Sequence, residues 1–247
     1  MVEWFKCNKW SLNIKKTNYM VFNKNLHKEF ALNMDECLLT EVSDVKFLGV
    51  CIENKLTWKK QIQCVVSKVS KGLAILKQLR KYFDNDTLYM VYCTLISPYL
   101  DYCSEIWGNT FNSHIQKLVV LQKKALRIVD GLNYRDHTHD TFKKYNCLKF
   151  KDHVKFKTCL HVFKAVNNDL PFNLQEKYVK VKNVHKYNTR SSNNLYKKQC
   201  KTESKSKNIS IYGVDLFNTL PVHIKEASSI KKFKVKLKEY LINNSNE

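Results

Sequence analysis

From Ile62 to Leu79 the apolar residues return at helical spacing. Ile62, Val65, Val66, Val69, Leu73, Leu76 and Leu79 follow the i, i+3, i+4, i+7 pattern over roughly five turns. Lys59, Lys60, Lys68, Lys71, Lys77, Arg80 and Lys81 are assigned to the opposite side. A stretch with this period does not settle as a strand, and its apolar stripe must be buried against other elements. Two further stretches follow it. Asp84 or Asp86 is placed to cap a helix carrying Leu88, Val91, Tyr92, Leu95 and Ile96. Pro98 is expected to kink or break that helix on its way to Trp107, and Gly108 to end it. Ile115, Leu118, Val119, Leu121, Gln122, Ala125, Leu126 and Val129 predict a third helix closed by Gly131. Short links between three amphipathic helices point to a compact bundle.

The rest of the chain is read around this bundle. Only 5 Gly and 3 Pro in 247 residues argue for a mainly α protein. The first 57 residues form a small β-rich piece: a helix tail over 2–9, a buried strand from Thr17 to Phe22, a hairpin around Met34–Asp35–Glu36, and another strand over Val45–Glu53. Gly49 inside that strand suggests a bulge or a close backbone approach. The piece is too thin to hold a core alone. The expected division is 1–57, the bundle at 58–132, a helical extension at 133–170, a basic linker or arm at 171–208, and a segment 209–247 ending in an amphipathic helix. Ile230, Phe233, Leu237 and Leu241 mark that helix's apolar face.

Charge narrows the function classes. Lys and Arg number 43 against 22 Asp and Glu, a net +21. The excess is +1 over residues 1–58, +6 over 59–132 and +14 over 133–247. An imbalance of this size implies a polyanionic partner, nucleic acid before membrane. No apolar run approaches the ~18 residues of a membrane span. The nine cysteines show no CxxC spacing and Met1 leads into Glu3, Lys6 and Lys9, so the expectation is an intracellular chain, nuclear or cytoplasmic and not secreted, with reduced thiols. His137, His139, Cys147, His153, Cys159 and His161 match no standard zinc pattern.

The order of short motifs carries a resemblance. Trp4–Phe5, Asn8–Lys9, Leu12–Asn13, Lys16–Thr17, Met20 and Phe22 lead to Lys46–Phe47–Leu48–Gly49–Val50 and then Leu56–Thr57–Trp58. Leu79–Arg80, Tyr92, Pro98, Trp107–Gly108 and Leu121–Gln122–Lys123–Lys124–Ala125–Leu126–Arg127–Ile128 follow, then Thr189–Arg190 and Leu216–Phe217–Asn218 with Leu220–Pro221. In this order and spacing the chain resembles the C-terminal part of a non-LTR retrotransposon reverse transcriptase of the jockey/RTE kind. The resemblance implies palm motifs D and E in 1–57, a thumb in 58–132, and a basic helical tail. It makes Lys16 the motif D lysine near the leaving pyrophosphate. It makes Phe47, Leu48 and Gly49 the primer grip, with Gly49 letting the main chain approach and Phe47 and Leu48 packing behind. It makes the lysines and Arg80 of 59–81 backbone contacts to a template–primer duplex.

The same resemblance implies an absence. Polymerases of this family hold two Mg ions on paired carboxylates, which lie upstream of these motifs. No Asp–Asp pair occurs in this sequence. The expectation is a chain without catalytic residues or a metal of its own, inactive in isolation, binding RNA–DNA hybrid or duplex without sequence preference. The missing palm and fingers, or another protein, are its expected protein partners, and no membrane is. The alternative is a stand-alone basic helical module derived from such an element, binding nucleic acid or protein.

Overall fold

The computed structural model describes residues 2–22, 31–34, 37–184 and 190–244. The chain divides into an N-terminal unit, Met1–Gln63, and a helical unit, Cys64–Glu247.

The N-terminal unit opens with helix α1 (Val2–Cys7) and a 3-10 turn (Ile14–Lys16). Six short strands follow: β1 (Asn18–Tyr19), β2 (Asn33–Met34), β3 (Cys37–Leu38), β4 (Thr40–Glu41), β5 (Asp44–Phe47) and β6 (Val50–Glu53). They form three two-stranded sheets among the described residues: β1 with β4 in parallel, β2 with β3 and β5 with β6 antiparallel. The strand expected over Thr17–Phe22 is only two residues long, and Phe22 is exposed. Of the hairpin expected around Met34–Asp35–Glu36, β2 and β3 pair as antiparallel strands, while Asp35 and Glu36 lie outside the described residues.

The single strand read over Val45–Glu53 is corrected to a hairpin. Phe47 pairs with Val50, and Leu48 and Gly49 form the two-residue turn between them. Both turn residues have positive φ, 44° and 86°, the geometry that matches the right-handed twist of paired strands. Gly49 is therefore a turn glycine and not a bulge within a strand.

Helix α2 (Lys59–Leu79) starts in this unit and continues into the next. Glu53 tends its first turn, accepting from Lys60 N–H (3.3 Å) and Thr57 Oγ1 (3.0 Å). A carboxylate at a helix N-terminus meets both the orphan N–H groups and the dipole.

In the helical unit α3 (Asn85–Leu95) begins at Asp84, which occupies its N-cap. Pro98 breaks the helix as expected: α4 (Ser97–Asp101) carries it in the first turn, α5 (Ser104–Trp107) follows, and Gly108 ends α5. Helix α6 (Asn112–Asp130) closes on Gly131, φ 70°, whose N–H donates to Arg127 O. Then come α7 (His139–Lys144), α8 (Phe150–Val166), α9 (Phe172–Gln175), α10 (Val181–Val184), α11 (Glu203–Ser206), α12 (Ile209–Thr219), α13 (Val222–Lys225) and α14 (Ile230–Asn243). The chain is mainly α with a small β-rich N-terminal piece.

Two observations explain how the helices lock. Gln122 is buried on α6, and its amide donates to Tyr92 Oη (3.1 Å) and Leu148 O (3.0 Å) while its carbonyl accepts from Phe150 N–H (2.7 Å). One fully satisfied side chain thus joins α3, α6 and the start of α8, where a half-satisfied one would destabilise. Around α8, α12 and α14 lies an apolar core with Val162, Phe163, Val214, Phe217, Phe233 and Leu237. The residues expected on the inner face of α14 are those that face inward, with Phe233, Leu237 and Leu241 buried.

The stretch read as a basic linker is pinned to this core. Tyr178 and Leu195 are buried in it. Asn218 of α12 holds Leu195 at both backbone groups, accepting from its N–H and donating to its C=O at 2.9 Å each. The period is lost there because single residues, not a stripe, do the anchoring. Residues 185–189, including Thr189 of the motif series, lie outside the described residues.

Candidate nucleic-acid interface

The basic residues of α2 and of the turn after it divide into three groups by what their side chains do. Lys59, Lys71, Lys77 and Lys81 are exposed. Lys71 and Lys77 lie on the helix and Lys81 in the turn after it, so Lys71 to Lys77 spans about 9 Å along the axis at ~1.5 Å per residue. Ammonium groups on the outer side of a rigid helix lose little on meeting phosphates and read no bases.

Two lysines are engaged but remain at the surface. Lys60 pairs with Asp44 of β5 within the N-terminal unit. The hydrogen bond holds the Asp44 carboxyl below its ordinary value and the Lys60 ammonium above its own. The Lys68 ammonium stands 4.9 Å from the centre of the Tyr99 ring, a cation–π contact that aims it.

Arg80 is turned into the fold. Its guanidinium donates to Asn85 Oδ1 (2.6 Å) and to Val129 O (3.4 Å) at the end of α6. The position explains the difference from its neighbours: Arg80 follows Leu76 by four residues and Leu73 by seven, which places it on the apolar side. It ties the end of α2 to the ends of α3 and α6.

The residues of the hairpin tip are corrected in one respect. Phe47 and Leu48 do not pack behind Gly49; they are 60% and 75% exposed. A turn with two left-handed residues at the end of a two-stranded ribbon has no layer behind it, so both side chains project. Leu48 at φ 44° is in a region that a side chain with a Cβ avoids at a cost of about 1–2 kcal/mol. Lys16 is exposed at the end of the 3-10 turn, also in the N-terminal unit.

Sequence reasoning passed over a further feature. Tyr82, Phe83 and Tyr134 are exposed aromatics in the loops that follow α2 and α6. The signal was present in Lys81–Tyr82–Phe83 and Tyr134–Arg135, where aromatic and basic residues alternate outside any apolar stripe.

Among the described residues no three His, Cys, Asp or Glu side chains gather to hold a metal ion. Among the described residues no helix is long and apolar enough to cross a membrane. Trp4, Phe5 and Trp10 form an aromatic group with ring centres 5.4 to 6.5 Å apart, and Trp4 and Trp10 are more than half exposed.

With this geometry in place, the sequence is similar to part of the RNA-directed DNA polymerases of mobile elements. It is 24% identical over 136 residues to the probable RNA-directed DNA polymerase from transposon X-element of Drosophila melanogaster, covering 53% of this chain and 15% of that protein. It is 25% identical over 137 residues to the RNA-directed DNA polymerase from mobile element jockey of Drosophila funebris, covering 53% and 15%. The jockey polymerase of Drosophila melanogaster matches over 177 residues at 22% identity, covering 70% and 18%. The chain thus spans less than a fifth of the length of these relatives. No family model matches it, and no solved structure does. The resemblance read from the order of motifs is the one these relatives show.

Proposed function

We propose that this chain is the template–primer-gripping part of a mobile-element reverse transcriptase, binding RNA–DNA hybrid through backbone charge and lacking polymerase chemistry by itself. The observation that carries the reading is the similarity to three mobile-element polymerases in a chain that leaves Lys71 and Lys77 of α2, and Lys81 in the turn after it, open to solvent. The net charge of +21 supports a polyanionic ligand. The exposed hairpin tip, Phe47–Leu48–Gly49, is the part of the N-terminal unit that reaches a primer strand in this reading. Lys16 neutralises phosphate there.

A polymerase of this class uses divalent ions, held on paired carboxylates, to activate the attacking hydroxyl and stabilise the leaving group. The residues described here do not fit that group. The sequence contains no Asp–Asp pair, and no cluster of donors stands in for one among the described residues. No step is therefore assigned to a metal in this chain. The exposed group around Trp4 and Trp10 is the surface on which the remainder of a polymerase would pack.

The test is binding to a labelled RNA–DNA hybrid across a salt series, with primer extension on the same sample. The expected result is steeply salt-dependent binding without extension. Converting Lys71, Lys77 and Lys81 to Gln is expected to lower the logarithmic salt slope by about 3, at ~0.9 per lost phosphate contact. No binding at low salt overturns the gripping role, and metal-dependent extension overturns the missing chemistry.

A further inference from the structure

We propose that one end of the helical unit, where α2 meets α3 and α6 meets α7, is a stacking platform for the unpaired bases of single-stranded nucleic acid. The inference rests on the nucleic-acid reading above and assigns it a second ligand form beyond the end of α2, sharing only Lys81 with the lysines of that reading.

Three aromatic side chains carry it. Tyr82 is 79% exposed, Phe83 46% and Tyr134 75%. Aromatic rings usually dominate cores, as Tyr92, Trp107, Phe150 and Phe233 do in this unit. Here three stand outside, in two loops of the same end.

The two loops are held together by half-buried polar bonds. Arg80 reaches from the end of α2 to Asn85 and to Val129 O. Asn85 Nδ2 in turn donates to Asp130 Oδ1 at 3.5 Å. Gly131 faces the same guanidinium so closely that a Cβ there would stand 2.2 Å from Arg80 Nη2. Tyr82 and Phe83 follow Arg80 directly, and Tyr134 follows Gly131 by three residues. The platform is thus built on rigid helix ends and does not depend on ligand to assemble it.

Charge complements the rings. Lys81 precedes Tyr82, Arg135 follows Tyr134, and the Lys124 ammonium lies 5.9 Å from the centre of the Tyr134 ring. The nearby acids are engaged locally. Asp130 accepts from Thr141 Oγ1 (3.0 Å) and Lys144 Nζ (2.6 Å), and Asp136 accepts from Asn133 N–H (2.7 Å). Asp84 and Asp86 stand at the start of α3, where a helix dipole favours them. Exposed rings interleaved with cations suit bases whose faces are free, because the rings supply stacking and the cations follow the phosphates. A duplex hides those faces inside its own stack, so the ligand is a single strand.

The experiment uses the full chain. Tyr82→Ala/Tyr134→Ala is compared with wild type and with Tyr82→Phe/Tyr134→Phe for binding to labelled oligo(dT) and to a blunt RNA–DNA hybrid, each over a salt series. Both sites are exposed, and circular dichroism with a thermal scan confirms that the variants fold. The expected result is a loss of about 10- to 100-fold on oligo(dT) for the Ala variant, at roughly tenfold per stacked base. The salt slope stays unchanged, the Phe variant retains affinity, and hybrid binding moves less than about twofold. If the Ala variant binds oligo(dT) as wild type does while the hybrid still binds, this inference falls and the gripping role stands. An equal loss on both ligands also overturns it. If wild type binds neither ligand, both readings fall.

Discussion

The two units of this chain use apolar residues in opposite ways. In Cys64–Glu247 a large set of buried apolar side chains gathers around Gln122 and around Phe233. In Met1–Gln63 the buried apolar residues among those described are Leu39, Val50 and Ile62, while Trp4, Trp10, Phe22, Leu38, Phe47 and Leu48 are exposed. Among the described residues, strands of two to four residues in separate pairs offer little shared face on which a core could form. The contrast shows where folding free energy resides. Most of the buried apolar surface among the described residues lies in the helical unit, so most of the hydrophobic stabilisation is expected there.

The largest test of that difference is a pair of phenylalanine truncations. Phe233 is fully buried and stacks on Phe163 with ring centres 4.0 Å apart. Phe233→Ala is expected to destabilise the chain by about 3–5 kcal/mol, through lost transfer energy and a residual cavity. Phe47→Ala, at 60% exposure, is expected to change stability by no more than about 0.5 kcal/mol. Urea denaturation followed by far-UV circular dichroism measures both. Comparable losses would break the contrast between the units.

Two of the chain's several left-handed residues, one from each unit, provide the next comparison because their side chains differ. The helical unit places Gly131 at φ 70°, against Arg80. The N-terminal unit places Leu48 at φ 44° in the hairpin turn. Gly131→Ala is expected to cost about 1–3 kcal/mol, since the new Cβ is strained and displaces the guanidinium that joins three helix ends. Leu48→Gly is expected to remove about 1 kcal/mol of strain, partly offset by the greater freedom of glycine when unfolded. The effect on the hairpin is read by hydrogen exchange at Phe47 and Val50, where protection should rise. A fall in protection would show that the Leu48 side chain supports the turn.

Much of the helical unit was legible because its helices repeat a stripe. The bundle helices, the break at Pro98, the stop at Gly131 and the inner face of α14 all follow from spacing. The hairpin was not legible, because Leu–Gly lacks the Asn–Gly or Asp–Gly signature of such turns. The anchoring of 176–184 and 190–207 was hidden for another reason. It depends on Tyr178, Leu195 and the amide of Asn218, and isolated residues leave no period. Within the candidate interface, Lys71 and Lys77 lie outward as read. Arg80 was grouped with them by residue type although its position on the helix put it with Leu73 and Leu76. Tyr82, Phe83 and Tyr134 fell between helices and belonged to no stripe, so a reading built on periodicity passed over them.

The smallest expected effect separates the units by pH. In the helical unit Asp101 accepts from His153 Nε2 at 2.8 Å and pairs with Lys157 Nζ at 3.0 Å, joining α4 to α8. The bond from His153, and then Lys157, hold its carboxyl at about 2 against the usual carboxylate range. A carboxyl lowered by folding stabilises the protein above its unfolded value, near 3.9, and that contribution is lost as pH falls through about 2. Asp101 keeps much of its contact with solvent, and screening reduces the gain to about 0.5 kcal/mol at neutral pH. Asp101→Asn is therefore expected to be slightly less stable than wild type at pH 6, with the difference vanishing by pH 2. In the N-terminal unit Asp44 is lowered in the same direction, first by Lys60, but that pair lies at the surface with one cation where Asp101 has two partners, and screening leaves little of the gain. Asp44→Asn is expected to show no measurable change at either pH. Urea midpoints of the two variants at pH 6 and pH 2 decide it. A pH-dependent loss in Asp44→Asn equal to that in Asp101→Asn would mean that the N-terminal unit draws as much stability from charge pairing as the helical unit does.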